Sequence, residues 1–275
     1  MPKLRLPIAF LMLAIAVLAM PLIASADNSW SKYHWDISTA ESATDPLVLG
    51  DNTSTTWTSS LEGASTDWNQ SVLLNTITAG NNTACDPVLG GVEVCNDTYG
   101  TSVGWLGIAQ VWVYRGRDGH IAQALVKVND SFFDKPEYNS SAWRDYVMCQ
   151  EVGHTIGLSH QDETFANANL GTCMDYTDDP DGSILNQASN LHPNQHDLDV
   201  LYSKYGHLNG VIDEGGDKPE KGNNGGGNGK KNKAPGQEVR QWGKAISTDG
   251  KGRPDLFELD LGGGNKLFTH VLWAN

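Results

Sequence analysis

Apolar and polar positions alternate with two different periods along this chain, and the periods divide it into elements. Trp57, Leu61, Ala64 and Trp68 recur at helical spacing, which predicts an amphipathic helix over about residues 54–68 packed on a sheet. Leu47–Leu49, ended by Gly50-Asp51-Asn52, reads as a short strand, and Val72 to Thr78, closed by Gly80-Asn81-Asn82, as another. Trp105 to Tyr114 and Ile121 to Asn129 are β-rich runs separated by Arg115-Gly116-Arg117-Asp118-Gly119, a hairpin signal. Ser140 or Ser141 can cap a helix carrying Trp143, Tyr146, Val147 and Gln150. A last helix is expected from Pro193-Asn194 through Leu198, Leu201 and Tyr202 to Gly206.

Beyond His207 the pattern changes. Residues 209–237 are rich in Gly, Asn, Lys and Glu with almost no apolar side chains, so they read as a flexible linker. From 238 to 275 strand character returns. Phe257, Leu259 and Leu261 alternate, Gly262-Gly263-Gly264-Asn265 turns the chain, and Leu267, Thr269, Val271 and Trp273 alternate back. Such a hairpin is too small to be stable alone, so it should dock on the main domain or a partner. The main domain, residues 27–208, is expected to fold without it.

The start of the chain reads as a secretory signal over residues 1–26. Lys3 and Arg5 precede an apolar run from Ile8 to Met20, and Ala24-Ser25-Ala26 offers a cleavage site. The expected location is therefore extracellular or periplasmic, with no membrane attachment after cleavage. The formal charge of −14 becomes more negative once the basic leader is gone. That balance argues against nucleic acid as a partner, because such binding needs basic patches to displace counterions. A monomer is expected.

Residues 150–160 read Gln-Glu-Val-Gly-His-Thr-Ile-Gly-Leu-Ser-His. The pattern HExxHxxGxxH sets two metal-binding histidines one helical turn apart, a glutamate beside the first, and a glycine that turns the chain to a third histidine. Glu151, His154, Gly157 and His160 stand in that register, but Gln150 holds the first histidine position. Positions 150 and 154 share a helix face and can share a metal. Glu151 projects beside them, where a carboxylate can take the proton of an attacking water. Met174-Asp175-Tyr176 follows shortly after. Asp175, Asp178, Asp179 and Asp181 cluster without calcium-loop spacing and read as a solvated loop.

Together these segments resemble a metzincin metallopeptidase, in layout closest to matrixin-like secreted members. The likeness spans roughly residues 30–207 and includes Pro193 to Asp199, similar to the start of the matrixin C-terminal helix. It implies an α+β, zincin-type fold: a twisted mixed sheet with an active-site helix, a Met-turn at Met174 and a C-terminal helix. It implies Zn2+ as cofactor, held by His154, His160 and Gln150, with Glu151 as general base and protein or peptide substrates. Tyr176 matches a tyrosine that reaches the metal in astacin- and serralysin-like relatives, and a structural, hydrogen-bonded tyrosine is the competing reading. Gly107, Ile108, Ala109 and Gln110 resemble the edge strand along which these enzymes align substrate by strand addition. Four cysteines allow three pairings. The expected set is Cys85 with Cys95, closing a short turn-rich loop, and Cys149 with Cys173, clamping the helix to the Met-turn. The competing function is a binding module, a pseudoprotease that holds peptides without cutting them.

Overall fold

The computed structural model describes residues 28–36, 46–80, 85–114, 119–206 and 241–275. The signal over 1–26, the turn at 115–118 and the linker over 209–237 lie outside them. The described chain is α+β, with one large mixed sheet and few helices. In chain order the elements are β1 (His34–Trp35), β2 (Leu47–Asn52), α1 (Thr55–Trp68), β3 (Thr76–Gly80), β4 (Gly91–Asp97), β5 (Trp105–Val113), β6 (His120–Asn129), α2 (Asp130–Phe133), α3 (Ser141–Thr155), α4 (Gln195–Tyr205), β7 (Lys244–Thr248), β8 (Pro254–Gly262) and β9 (Asn265–Trp273).

The sheet runs β3-β2-β4-β6-β5-β9-β8-β7, and β1 adds to the start of β6. Strands β2, β3, β4 and β6 are mutually parallel, β5 lies antiparallel to β6, and β9 lies antiparallel to β5. Parallel neighbours need a crossover, and α1 supplies it between β2 and β3. Its stripe of Trp57, Leu61, Ala64 and Trp68 is buried against Leu49, Val92, Val126, Met148 and Val152, so α1 and α3 cover the same sheet face. Three indole N–H groups in this core find acceptors: Trp57 donates to Asp130 Oδ1 at 2.8 Å, Trp68 to the Cys149 carbonyl at 3.1 Å and Trp35 to the Thr155 carbonyl at 2.8 Å.

Two expectations shift. The strand expected over 72–78 begins only at Thr76, because its neighbour β2 begins at Leu47, which pairs with Thr76. Asn69 pins that start, accepting from Thr76 N at 2.6 Å and donating to its carbonyl at 2.8 Å. The loop between Cys85 and Cys95 gives way at Gly91 to β4, a central strand whose neighbours bury Val92 and Val94. Both disulfides form as expected, Cys85–Cys95 and Cys149–Cys173. Disulfides of this kind fit an oxidising compartment. No helix among the described residues is long and apolar enough to cross a membrane.

The C-terminal segment departs further from expectation. Its hairpin forms as β8 and β9, gains β7 on its outer side, and continues the central sheet rather than docking as an appendage. The pairing of β9 with β5 extends from Trp105 to Val113. Phe268 and Leu272 enter the main core, while Val271 and Trp273 join Trp105, Ile108, Trp242 and Phe257 on the opposite face. A strand buried on both faces reads as nearly continuous apolar sequence, as Leu267 to Trp273 does.

Candidate functional site

Helix α3 builds one wall of the site. Ser140 caps it, its hydroxyl accepting from Trp143 N at 3.2 Å. Tyr146, Gln150 and His154 follow at intervals of one turn and are fully buried, as is Glu151. The helix ends in a Schellman turn: Leu158 N donates to the Gly153 carbonyl at 3.2 Å and Gly157 N to the His154 carbonyl at 3.1 Å. Gly157 has φ +96°, and a Cβ there would lie 2.4 Å from the Tyr33 carbonyl oxygen, so only glycine fits. The reversal carries His160 back until its ring centroid is 4.6 Å from that of His154.

The segment after the third motif residue forms the floor. Gln161 N donates to the Met174 carbonyl at 2.6 Å, and Tyr176 N to the Asp162 carbonyl at 3.0 Å. Met174 is thereby pressed under the helix at Gly153, where a Cβ would meet its Sδ at 2.6 Å and Trp68 at 2.7 Å. That contact explains the glycine inside α3. Asp197, in the capping box of α4, ties this floor together by accepting from Asn28 and Gln161 side chains, each at 2.8 Å, and from the Thr172 hydroxyl. Asp175 and Asp179 are buried acceptors for backbone N–H groups of Leu170, Ile184 and Leu185, not members of a solvated loop. Short carboxylates can organise an irregular segment in this way, and spacing alone does not reveal it.

The hydrogen bonds around the motif orient its donor atoms. Gln150 Nε2 donates to Tyr146 Oη at 3.1 Å and to the Cys173 carbonyl at 2.8 Å, which leaves Oε1 as the outward atom. His154 Nδ1 donates to the Leu158 carbonyl at 2.9 Å, and His160 Nδ1 to Glu163 Oε1 at 3.2 Å. In each neutral ring the lone pair then lies on Nε2. Gln150 Oε1, both Glu151 oxygens, His160 Nε2 and Tyr176 Oη are buried without any hydrogen-bond partner. The Tyr176 ring lies 4.4 Å from His160. Of the two readings of this tyrosine, the hydrogen-bonded structural one lacks its hydrogen bond.

Burial sets the electrostatics. It raises the Glu151 carboxyl well above the ordinary carboxylate range. It also drives His154 well below an ordinary imidazole, with His270 and His160 adding to the effect. Tyr176 is raised well above a free phenol, first by burial and then by Asp255. Glu151 lies against β5 at Gly107, where a Cβ would approach its Oε1 at 2.7 Å and Val147 at 2.9 Å. Gly107 therefore leaves the space that the carboxylate and Val147 fill.

Three participants escaped the sequence reading, two of them on the C-terminal strands. His270 on β9 stacks on His154 with ring centroids 4.1 Å apart and planes 14° from parallel, and its Nε2 is buried without a partner. Asp255 on β8 sets its Oδ2 3.9 Å from His160 Nδ1. Burial raises the Asp255 carboxyl to about 6. The third is Glu163. His160, Glu163 and Asp255 have ligand atoms within 4.8 Å of one another, an arrangement that could also hold a cation. One signal for His270 was present: it is a lone imidazole on the face shared by Phe268 and Leu272. The same strand changes the standing of Gly107, Ile108, Ala109 and Gln110. They lie in β5 as expected, but β5 is not an edge, since β9 pairs with each of them and sets His270 opposite Ala109. Compared with protein-family models and with curated proteins, the sequence matches none.

Proposed function

We propose that this chain is a secreted zinc metalloendopeptidase of the metzincin type. The observation that carries the reading is the set of buried, unpartnered polar atoms on Gln150, Glu151, His160 and Tyr176, with the His160 ring in contact with both His154 and Tyr176. Native folds satisfy nearly all buried polar groups, so such a cluster marks a place built for a bound group. Imidazole nitrogens with an amide or phenol oxygen form a donor set that suits Zn2+, and Leu158 O and Glu163 hold the two imidazoles in the orientation a ligand needs. The Schellman turn at Gly157, Met174 beneath the helix and the capped α4 agree with the metzincin layout. When bound, zinc would polarise a peptide carbonyl and acidify water. Glu151, desolvated and raised in pKa, takes the proton of the attacking water and delivers it to the leaving amine. Gly107, lacking a side chain, leaves the space in which that carboxylate sits.

Zinc titration of the full chain tests this reading, with hydrolysis of an unfolded protein such as casein as the second readout. One zinc should bind per chain and be lost in His154→Ala. Glu151→Ala should retain zinc and lose any hydrolysis. A wild type that binds no zinc, or a Glu151→Ala variant that cuts as fast as wild type, sinks it. A second reading, a peptide-binding module without turnover, is favoured by the glutamine at position 150 and by the covered β5. It predicts a wild type that binds zinc and stays silent, and that gains hydrolysis as Gln150→His.

A further inference from the structure

The proposed reaction needs Glu151 to meet a peptide, yet the motif is closed to solvent. Gln150, Glu151 and His154 are buried, and the His160 side chain is 3% exposed. Much of the closure comes from one segment, β7 to β9. His270 lies flat on the His154 ring at 4.1 Å, with Trp30 edge-on to it at 4.8 Å. Asp255 Oδ2 stands 3.9 Å from His160 Nδ1. Between β7 and β8, Gly250 N donates to the Glu163 carbonyl at 3.0 Å, and Lys251 Nζ lies 4.3 Å from the Phe165 ring centroid. Along β5, strand β9 takes the main-chain pairing from Trp105 to Val113 that an added peptide strand would need.

The segment is held unevenly. Its apolar side chains pack as a core does, Phe268 and Leu272 beside α3, Val271 and Trp273 with Trp105 and Ile108. Toward the motif, polar groups are buried and left over. Among the described residues from 241 onward, the buried side-chain atoms without a hydrogen-bond partner are Arg253 Nη2, Asp255 Oδ1 and His270 Nε2. All three residues face the motif histidines or the segment that follows them. Both Glu151 oxygens are in the same condition. None of these five atoms is a zinc donor in the reading above, so zinc does not account for them. Each has lost water without gaining a bond, a cost that opening relieves. We propose that β7 to β9 are an autoinhibitory cover: folded down, they shut the motif and occupy β5, and they lift as a unit to admit a peptide. What the cover inhibits rests on the peptidase reading, whereas its opening is measurable without it. Opening hydrates the orphaned polar groups but exposes Phe268 and Leu272, so the closed form dominates and the full chain is latent at rest.

Native-state hydrogen exchange on the full chain tests the opening. Amides of β8 and β9 should exchange as one set, about tenfold or more faster than those of β4 and β6. If β9 exchanges only as slowly as β4 and β6, it leaves on global unfolding alone, and the proposal is overturned. A lock supplies the second arm. Trp112 and Leu267 face one another across β5 and β9, on the side of the sheet away from α3. Trp112→Cys with Leu267→Cys can therefore be joined by oxidation and freed by reduction, with wild type in the same reductant as control. The oxidised lock should slow β9 exchange to the rate of β6 and remove casein hydrolysis, and reduction should restore both. An oxidised lock that cuts casein as fast as its reduced form also overturns the proposal. Should the double variant fail to fold, the exchange pattern of wild type decides alone. If the strands open together while neither wild type nor the reduced lock cuts casein, the peptidase reading fails and the cover stands, closing a motif that binds peptide without turnover.

Discussion

Gln150 serves two neighbours with its amide nitrogen, Tyr146 Oη and the Cys173 carbonyl, and offers only its oxygen to the pocket. An amide oxygen is a poorer zinc donor than imidazole. Gln150→His should therefore tighten zinc by about tenfold, near 1.4 kcal/mol, in chelator competition. A histidine has one N–H to spare for two acceptors, so the same variant should melt lower, by on the order of 1 kcal/mol. Gly107 makes a second residue-scale case. A methyl there would press into Glu151 Oε1 and Val147, so Gly107→Ala should reduce hydrolysis and lower stability by about 1–3 kcal/mol in denaturant titration. Gly153 and Gly157 are constrained in the same way, one by Met174 and Trp68, the other by its positive φ and the Tyr33 carbonyl.

Among the elements, α3 depends most on what is bolted to it. The Cys149–Cys173 bridge spans 24 residues and joins the helix to the Met174 turn, whereas Cys85–Cys95 spans 10 at the entry to β4. Closing the longer loop removes more freedom from the unfolded chain. Replacing Cys149 and Cys173 by alanine should cost about 2–4 kcal/mol. Because Cys173 also presents the carbonyl that orients Gln150, zinc affinity should fall too. The same replacement at Cys85 and Cys95 should cost less and leave zinc binding unchanged, as paired melts and titrations can establish. Helices α1, α3 and α4 were legible because their signals are local: one apolar stripe in α1, a serine cap and a motif in α3, the Pro193-Asn194 start of α4; the short α2 was not expected. The start of β3 and the whole of β4 were not, because pairing with β2 decides them and β2 is distant in sequence.

At the scale of the whole molecule, the C-terminal strands are part of the body they were expected merely to touch. Deleting residues 241–275 removes Phe268 and Leu272 from the main core and uncovers Trp105 and Ile108 on the other face. The truncated chain should melt well below the full chain and bind a dye for exposed apolar surface, and an unchanged melting temperature would restore the view of a separable tail. The sequence by itself determined the two covering helices, the turn after His154 and the alignment of Glu151, His154 and His160. Each of these follows from contacts within a few turns of chain, whereas the structure selected one of the three cysteine pairings, the expected one. Only the tertiary structure decided that β5 is covered, that Asp175 and Asp179 are buried acceptors, and that His270 and Asp255 enter the pocket. Those outcomes depend on the register of β9 against β5, where Ala109 meets His270. That register is chosen by which face of a doubly buried strand packs against α3, and no local pattern in an apolar run makes that choice.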